Sequence, residues 1–586
     1  MLQLAAVKHL SRLPANTILR VSLPAALARS SSTQPAQPAF TKDGREILHV
    51  PNEPPEQAVA CFACTSGKKL PQTRPNIVFI LADDLGWADT SLHGSTQIPT
   101  PNLDALASTG VLLNNYYVQP LCSPSRAALM TGLYPAHTGV QVPLLSGQVA
   151  GLPLKFKLLP EHLKDLGYET HLVGKWHLGY SSLNYTPTHR GFDTFYGFHN
   201  GPIDYYTGIL EQEGHKGLDF WNGTHALPLE GRVYSTTRFK DQAKSIISKR
   251  NTSKPLFLHL AYQAAHSVYP PEFLQAPEEN VKKFEYIGDP TRKILAGMVD
   301  ALDQSVGALL EELEKAHMLE NTVLVFSTDN GGSPFTRNEA NRGYNWPLRG
   351  IKGTVWEGGI RGTAFVWSPR LEVSRRISTQ LMHITDWLPT LYSAAGGDVQ
   401  NLGSLDGFDM WKALSTDTPS PRLEVLLELN KEADRAALRC RNHKIVLGNY
   451  SEEVSERYMV VGGKRPTNDL DALQQNSKAA HVLKRFYGKS ELFQRGYDKS
   501  WRRRAAVKCS EHGPTNFNSS SLIFVFNLDS DPCELRNIAD RDPRLLTHLM
   551  ARLGGYMKTL QPELDRKFDP RGYPENHNGT WAPWIF

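Results

Sequence analysis

The 586-residue chain has no run of eighteen apolar residues, which excludes an ordinary membrane-crossing helix. It also lacks a charge surplus. Sixty-four basic residues face 59 acidic ones, a net charge of +5. No basic block stands out, so nothing marks a nucleic-acid surface. An anionic substrate is tolerated by this balance but not demonstrated by it. Cysteine is scarce: Cys61, Cys64, Cys122, Cys440, Cys509 and Cys533 are the six, and Cys122 stands alone between residues 65 and 439. "CFAC" at 61–64 has redox or zinc spacing, but no second pair follows at metal-finger distance. It sits in a Pro-rich stretch, which favours the plainer reading of two thiols without a function. Two of Cys440, Cys509 and Cys533 can form a bridge, leaving one odd; spacing does not pair them. Acidic residues are missing from 1–42, which carry Arg12, Arg20, Arg29 and serines at 30–32. That composition is closer to a mitochondrial transit peptide than to a secretory signal.

What is present is otherwise ordinary for a globular protein: 40% hydrophobic and 21% charged residues, with length enough for two or three domains. Six N-x-Ser/Thr sequons, at Asn184, Asn222, Asn251, Asn449, Asn518 and Asn578, lean towards the secretory pathway. Residues 1–75 read as a targeting or disordered segment. From residue 76, short apolar runs alternate with amphipathic stretches. "NIVFILADD" (76–84), "VLLNNYYV" (111–118), "ETHLVGKWHLG" (169–179), "PLFLHLAYQAAH" (255–266) and "NTVLVFSTDNGG" (321–332) read as strands. Residues 100–110, 123–134, 159–168 and 291–316 read as helices, the first opened by Thr100 and closed by Gly110. This predicts an α/β domain over 76–415, with a large, mostly parallel sheet flanked by helices. Residues 416–586 read as a smaller α+β domain with antiparallel strands at 435–450 and 521–534 and a helix at 542–560.

Two of the most apolar strands end in acids: Asp83 and Asp84 after one, Asp329 and Asn330 after the other. Ligands of doubly wound folds bind beyond the carboxyl ends of parallel strands, and four hard oxygen side chains there suit Ca²⁺ or Mg²⁺ better than zinc. Either pair alone is more simply a turn or cap, but adjacent carboxylates leaving a buried strand invite a cation. Cys122 stands before "SPSR", where Ser123 can cap a helix and Pro124 fits its first turn. A helix start favours anions, though taken alone a structural thiol is the plainer reading. Arg126 falls one turn on. Lys175 and His177, two apart in a strand, share a face. His259 reads as a satisfied core histidine.

Several of these stretches together resemble one family. "CSPSRAALMTGLYPAHTG" (122–139) carries the C-x-P-S-R signature of type I sulfatases. "NIVFILADDLGWAD", "GKWHLG", "RGFDTFYG", "STDNGG" and "KGTVWEGGIRG" follow the family's order over about residues 76–400, within the alkaline-phosphatase-like superfamily. The arylsulfatase B subgroup is the nearest likeness, in "YYVQPLCSPSR" especially, although that subgroup's additional rim cysteines are missing here.

The resemblance implies a sulfuric ester hydrolase acting on sulfated sugars, glycosaminoglycans or aryl sulfates. It implies that Cys122 is converted to Cα-formylglycine by the formylglycine-generating enzyme, and that Asp83, Asp84, Asp329, Asn330 and the converted Cys122 bind Ca²⁺, or Mg²⁺. Arg126 then holds the formylglycine hydroxyl, Lys175 the sulfate, and His177 is the base that aids sulfate release. His266 and Lys352 flank the leaving oxygen, one of them as its proton donor. A lysosomal or secreted location follows, against the mitochondrial-like N-terminus. The rival readings are a phosphatase or phosphonate hydrolase of the same superfamily, a catalytically silent protein that binds sulfated glycans, and a redox protein using Cys61 and Cys64.

Overall fold

Residues 76–82, NIVFILA, alternate between two cores. The computed structural model describes residues 73–269, 272–334, 341–449, 469–489, 492–493, 498–509, 516–518 and 520–586; Cys61 and Cys64 lie outside them. The strand β1 (Asn76–Ala82) sends Ile77, Phe79 and Leu81 into one core and Val78, Ile80 and Ala82 into the other. A strand buried on both faces needs a continuous apolar run, and these six residues have no exposed surface. β2 (Glu169–Lys175), β3 (Leu256–Ala261) and β4 (Thr322–Thr328) complete the centre, in the spatial order β4-β1-β3-β2. All three pairings are parallel. Strand 194–198 extends this block in parallel, while 364–367 joins β4 and 221–222 joins 194–198 antiparallel. The ten-stranded sheet is therefore mixed, parallel at its centre and antiparallel towards its flanks.

Helix α1 (Cys122–Thr131) covers the face with Ile77 and Phe79, and α2 (Pro290–Lys315) covers the other through Leu302, Val306 and Leu309. Each fully buried large aliphatic side chain contributes about 1.5–3 kcal/mol. The helix Pro101–Thr109 departs from expectation at its start. Thr100 makes no side-chain cap bond there; the Asp303 carboxylate of α2 accepts from Asn102 N and Leu103 N at 3.0 and 2.9 Å. A cap delivered by another helix leaves no local signal. "VLLNNYYV" is likewise two short strands, 111–113 and 116–117, in different sheets.

The C-terminal part contains a four-stranded antiparallel sheet, in the order 424–430, 435–440, 443–447, 523–527, with helix Pro543–Met557 packed on it through Leu549 and Leu553. The expected strand 435–450 is a hairpin. Helices 478–486 and 501–505 share the core of the large sheet instead. Cys509 and Cys533 form a disulfide, leaving Cys440 half-buried and free. No helix among the described residues is long and apolar enough to cross a membrane.

His259, in the middle of β3, is a core residue, but its Nδ1 is buried without a hydrogen-bond partner, so it is not satisfied. Its ring lies 5.6 Å from that of Phe79 and 6.4 Å from that of Phe192. Burial, aided by the Arg126 charge, pushes it down to about 3 from an ordinary 6.5. A base depressed in the folded state contributes stability that is present above pH 6.5 and lost as pH falls from there. His259→Phe removes that dependence. Its loss of unfolding free energy between pH 6.5 and 5 should be about 2 kcal/mol smaller than that of the wild type. Urea melts at the two pH values measure this, and parallel losses would refute it.

Candidate active site

The register of β1 against β4 pairs Ala82 with Thr328, so the next residues, Asp83 and Asp329, emerge side by side. Both are fully buried. Asp84 turns back in the left-handed region, at φ 57°. Its backbone N–H donates to Asp329 Oδ1 at 3.3 Å, and Asn330 Nδ2 donates to Asp84 Oδ1 at 2.8 Å. The four expected ligands thus form one group. Burial raises the Asp83 carboxyl, but Lys175, with His266, Arg126 and Lys352 behind it, outweighs burial and holds it well below the carboxylate range. For Asp329, burial and the neighbouring Asp83 charge prevail and push it up.

Helix α1 brings the signature residues against this group. Cys122 is its first residue, 2% exposed, and its thiol is hydrogen-bonded to His266. Burial raises the thiol, while Lys175 and Lys352 more than reverse that, leaving it lowered. Ser123 does not cap the helix. It lies inside the first turn, and its Oγ accepts from Leu144 N at 3.1 Å. One turn on, Arg126 donates from Nη2 to Asp329 Oδ2 at 2.8 Å and from Nη1 to the Lys175 carbonyl at 3.1 Å. Gly132 ends the helix with φ 69°, a left-handed position suited to glycine.

Lys175 closes β2, with Nζ 2.5 Å from Asp83 Oδ2. His177 does not share its face by strand alternation, because β2 has ended and His177 is left-handed at φ 60°. Its Nε2 contacts the Leu144 carbonyl at 2.9 Å. A carbonyl only accepts, so Nε2 carries the hydrogen. Nδ1 is buried and unpartnered, and burial with the Lys175 charge keeps the ring neutral. His266 lies five residues beyond β3, not at its end. Its loop is pinned to β1 by Asp83 N to Ala264 O at 3.0 Å and Ala265 N to Asp83 O at 2.6 Å. His266 Nε2 is 3.6 Å from Asp84 Oδ2; burial lowers the ring's basicity, but Asp84 leads the charges that raise it overall. Lys352 reaches the other side of Asp84, with Nζ 2.6 Å from Oδ1 and 2.7 Å from Oδ2. Its backbone N–H binds the Gly332 carbonyl just past β4.

The cluster tests well as a cation site. Asp83, Asp84, Cys122 and His266 each offer one ligand atom, all within 4.8 Å of one another. Asp83 Oδ1 and Asn330 Oδ1 are buried without hydrogen-bond partners. An orphaned buried oxygen is costly, and two of them facing one cluster suit Ca²⁺ or Mg²⁺, which take oxygen donors. Sequence reasoning passed over two contributors. Ser125, the serine of "PSR", donates to the Asp329 carbonyl and accepts from Gln119 N; its place in the signature was signal enough. The Leu144 carbonyl, which fixes the His177 tautomer, had no signal, because any residue supplies a carbonyl.

The family model described as Sulfatase matches residues 75–397, more than half of the chain. Mouse arylsulfatase J is 36% identical over 88% of this chain and 81% of its own length. Human N-acetylgalactosamine-6-sulfatase is 33% identical, covering 58% of this chain and 66% of its own length. Human arylsulfatase A is 34% identical, covering 59% of this chain and 69% of its own. Among solved structures, that of Ps i-CgsB in complex with k-i-k-neocarrahexaose superposes with a TM-score of 0.65 at 27% identity, covering 86% of this chain and 97% of that one. With Cys122 leading α1 into a buried group of carboxylates and cations, and with these matches along most of its length, the chain belongs to the sulfatase family of sulfuric ester hydrolases.

Proposed function

We propose that the chain hydrolyses sulfate esters of sugars or glycosaminoglycans, in the manner of an arylsulfatase B-like enzyme. Formylglycine would derive from Cys122, and Ca²⁺ would sit among Asp83, Asp84, Asp329 and Asn330. The observation that carries this reading is the Cys122 thiol, buried at a helix start, within 4.8 Å of ligand atoms of Asp83, Asp84 and His266, and lowered by the charges of Lys175 and Lys352. Formylglycine at this position would supply, once hydrated, a nucleophilic hydroxyl and a second hydroxyl through which the sulfate could be released. Bound to the carboxylates, the ion would polarise the sulfate oxygens and offset charge in the transition state.

The chain's own residues divide the remaining work. Arg126 holds Asp329 and the backbone of Lys175, and so fixes the carboxylates against α1. Lys175 presents its ammonium to the sulfate. His177, with its N–H committed to Leu144, keeps the Nδ1 lone pair for the proton of the second hydroxyl. His266 and Lys352, drawn towards Asp84 and towards their charged forms, stand as the two proton donors for the departing alcohol. Cations converging where negative charge develops are the usual source of acceleration in such sites.

A secreted or lysosomal location is part of the proposal. The asparagines of all six sequons are exposed, as acceptors of N-linked sugar must be. Conversion by the formylglycine-generating enzyme belongs to the same route. Galactosamine and carrageenan-type ligands appear in the names of the relatives above and support a sulfated saccharide as substrate.

Two outcomes test the reading. Mass spectrometry of the peptide containing residue 122, from protein secreted by animal cells, should find the aldehyde in place of the thiol, and Cys122→Ser should lower kcat on 4-nitrophenyl sulfate at least about a thousandfold. An unmodified thiol in fully active protein would sink it. Exhaustive chelation should abolish turnover and lower Tm, with Ca²⁺ restoring both, because the orphaned oxygens lose their cation; activity indifferent to chelation would remove the ion from the proposal.

A further inference from the structure

Behind the Lys352 loop lies a group of charges that the reaction does not touch. Glu357, Lys444 and Glu534 have no exposed surface. Lys444, on strand 443–447 of the C-terminal sheet, places Nζ 2.9 Å from Glu357 Oε1 and 2.7 Å from Glu534 Oε1. Tyr117 donates to the other Glu357 oxygen at 2.6 Å, and Arg361 Nη1 stands 3.6 Å from it. Apolar side chains of the same volume would hold two parts of a fold together as well as buried charges do. The use of this group lies in what it holds.

Glu534 reaches both ends of one loop. Its Oε2 accepts from Glu357 N at 2.8 Å, and its backbone carbonyl accepts from Arg349 Nε at 3.1 Å. These partners are 177 and 185 positions away along the chain, and Lys352 lies between them. The loop ends also meet directly, with Gly358 N donating to Arg349 O at 2.6 Å. Glu534 itself is left-handed, at φ 58°, and follows Cys533 of the disulfide. Cys509, the other half of that bridge, has Sγ 3.4 Å from the Pro347 carbonyl, two residues before Arg349. The middle of the loop rests on the active site. Lys352 N donates to Gly332 O at 3.1 Å, and Gly353 N to Pro120 O at 2.8 Å. Trp356 packs edge-on against Phe524 of the C-terminal sheet, with ring centres 5.2 Å apart.

We infer that Glu534 is a positioning residue: it clamps the loop 349–357 at both ends and so sets where the Lys352 ammonium stands beside the leaving oxygen. This rests on the sulfatase reading, with Lys352 at that oxygen, and adds to it a dependence of the site on the C-terminal sheet and its flanking turn. Burial lifts the Glu534 carboxyl to about 7 against the pull of Lys444. A carboxyl accepts from a backbone N–H in either protonation state, so the clamp needs no particular charge on Glu534. A displacement of about 1 Å is enough to cost a reacting group about a hundredfold.

A double-mutant cycle tests the clamp. The readout is kcat/KM for 4-nitrophenyl sulfate, counted per aldehyde at residue 122, in the wild type, Glu534→Met, Lys352→Met and the double variant. Glu534→Met removes the acceptor, keeps the volume and leaves Lys444 paired with Glu357. Alone it should lower kcat/KM by about ten- to a hundredfold. With Lys352 already replaced, it should cost less than about twofold, the scatter of such cycles. If Glu534→Met does not fold, Arg349→Met opens the other end of the loop and takes its place in the cycle. Losses that multiply, the same with Lys352 present or replaced, would show a merely structural role and overturn the clamp. Wild-type kcat/KM in the folded clamp variant, or in Lys352→Met, would overturn it as well. Each of these results leaves the sulfatase reading standing. A wild type that carries the aldehyde and hydrolyses no sulfate ester would overturn both.

Discussion

Everything in the site depends on one electrostatic constraint: two carboxylates, Asp83 and Asp329, are brought out side by side and fully buried by the pairing of β1 with β4. Neither can be relocated without shifting the register of the central sheet, and a shift of one strand by one residue would turn that strand's side chains to the opposite faces. Like charges in that position are tolerable only beneath a dense cover of cations. Lys175, Arg126, His266 and Lys352 are that cover, and each arrives from a different element. The carboxylate pair therefore organises α1, the end of β2, the loop after β3 and the 345–352 loop about one point.

A cover of cations assembled around carboxylates has a second use. When an anionic ester enters, the same ammonium and guanidinium groups face charge that grows during reaction, and they need no rearrangement to do so. The fold spends its stability on holding these groups desolvated, which is why Lys175 and Arg126 are among its most buried charged residues. A buried group of this kind weakly supports stability by itself; the two double-sided cores of the sheet supply it.

How much of this was visible in the chain follows physical lines. β1 and β4 were legible because strands buried on both faces must be apolar without interruption, and the acids at their ends were legible by contrast. Cys122 and Arg126 were legible through their compact signature. His266 and Lys352 were reached only through likeness to a family, because their approach depends on loop paths set by backbone bonds such as Ala265 to Asp83. Strand 424–430 and helices 470–475 and 478–486 went unread, the helices because an amphipathic segment such as "KAAHVLKRF" looks like a charged linker until its partner, the helix Pro101–Thr109, is known. The left-handed turn at His177 defeated the alternation rule, since that rule assumes the strand continues.

One feature of α1 reaches back to the birth of the protein. Cys122 is shut in by the finished fold, with its backbone inside the helix and its side chain beneath His266. No oxidising enzyme could wrap an extended peptide segment around that position in the native state without first unravelling α1. On the proposed function, conversion of Cys122 therefore belongs to a chain in which α1 has not yet closed over that position, because the finished fold leaves it buried at the head of the helix.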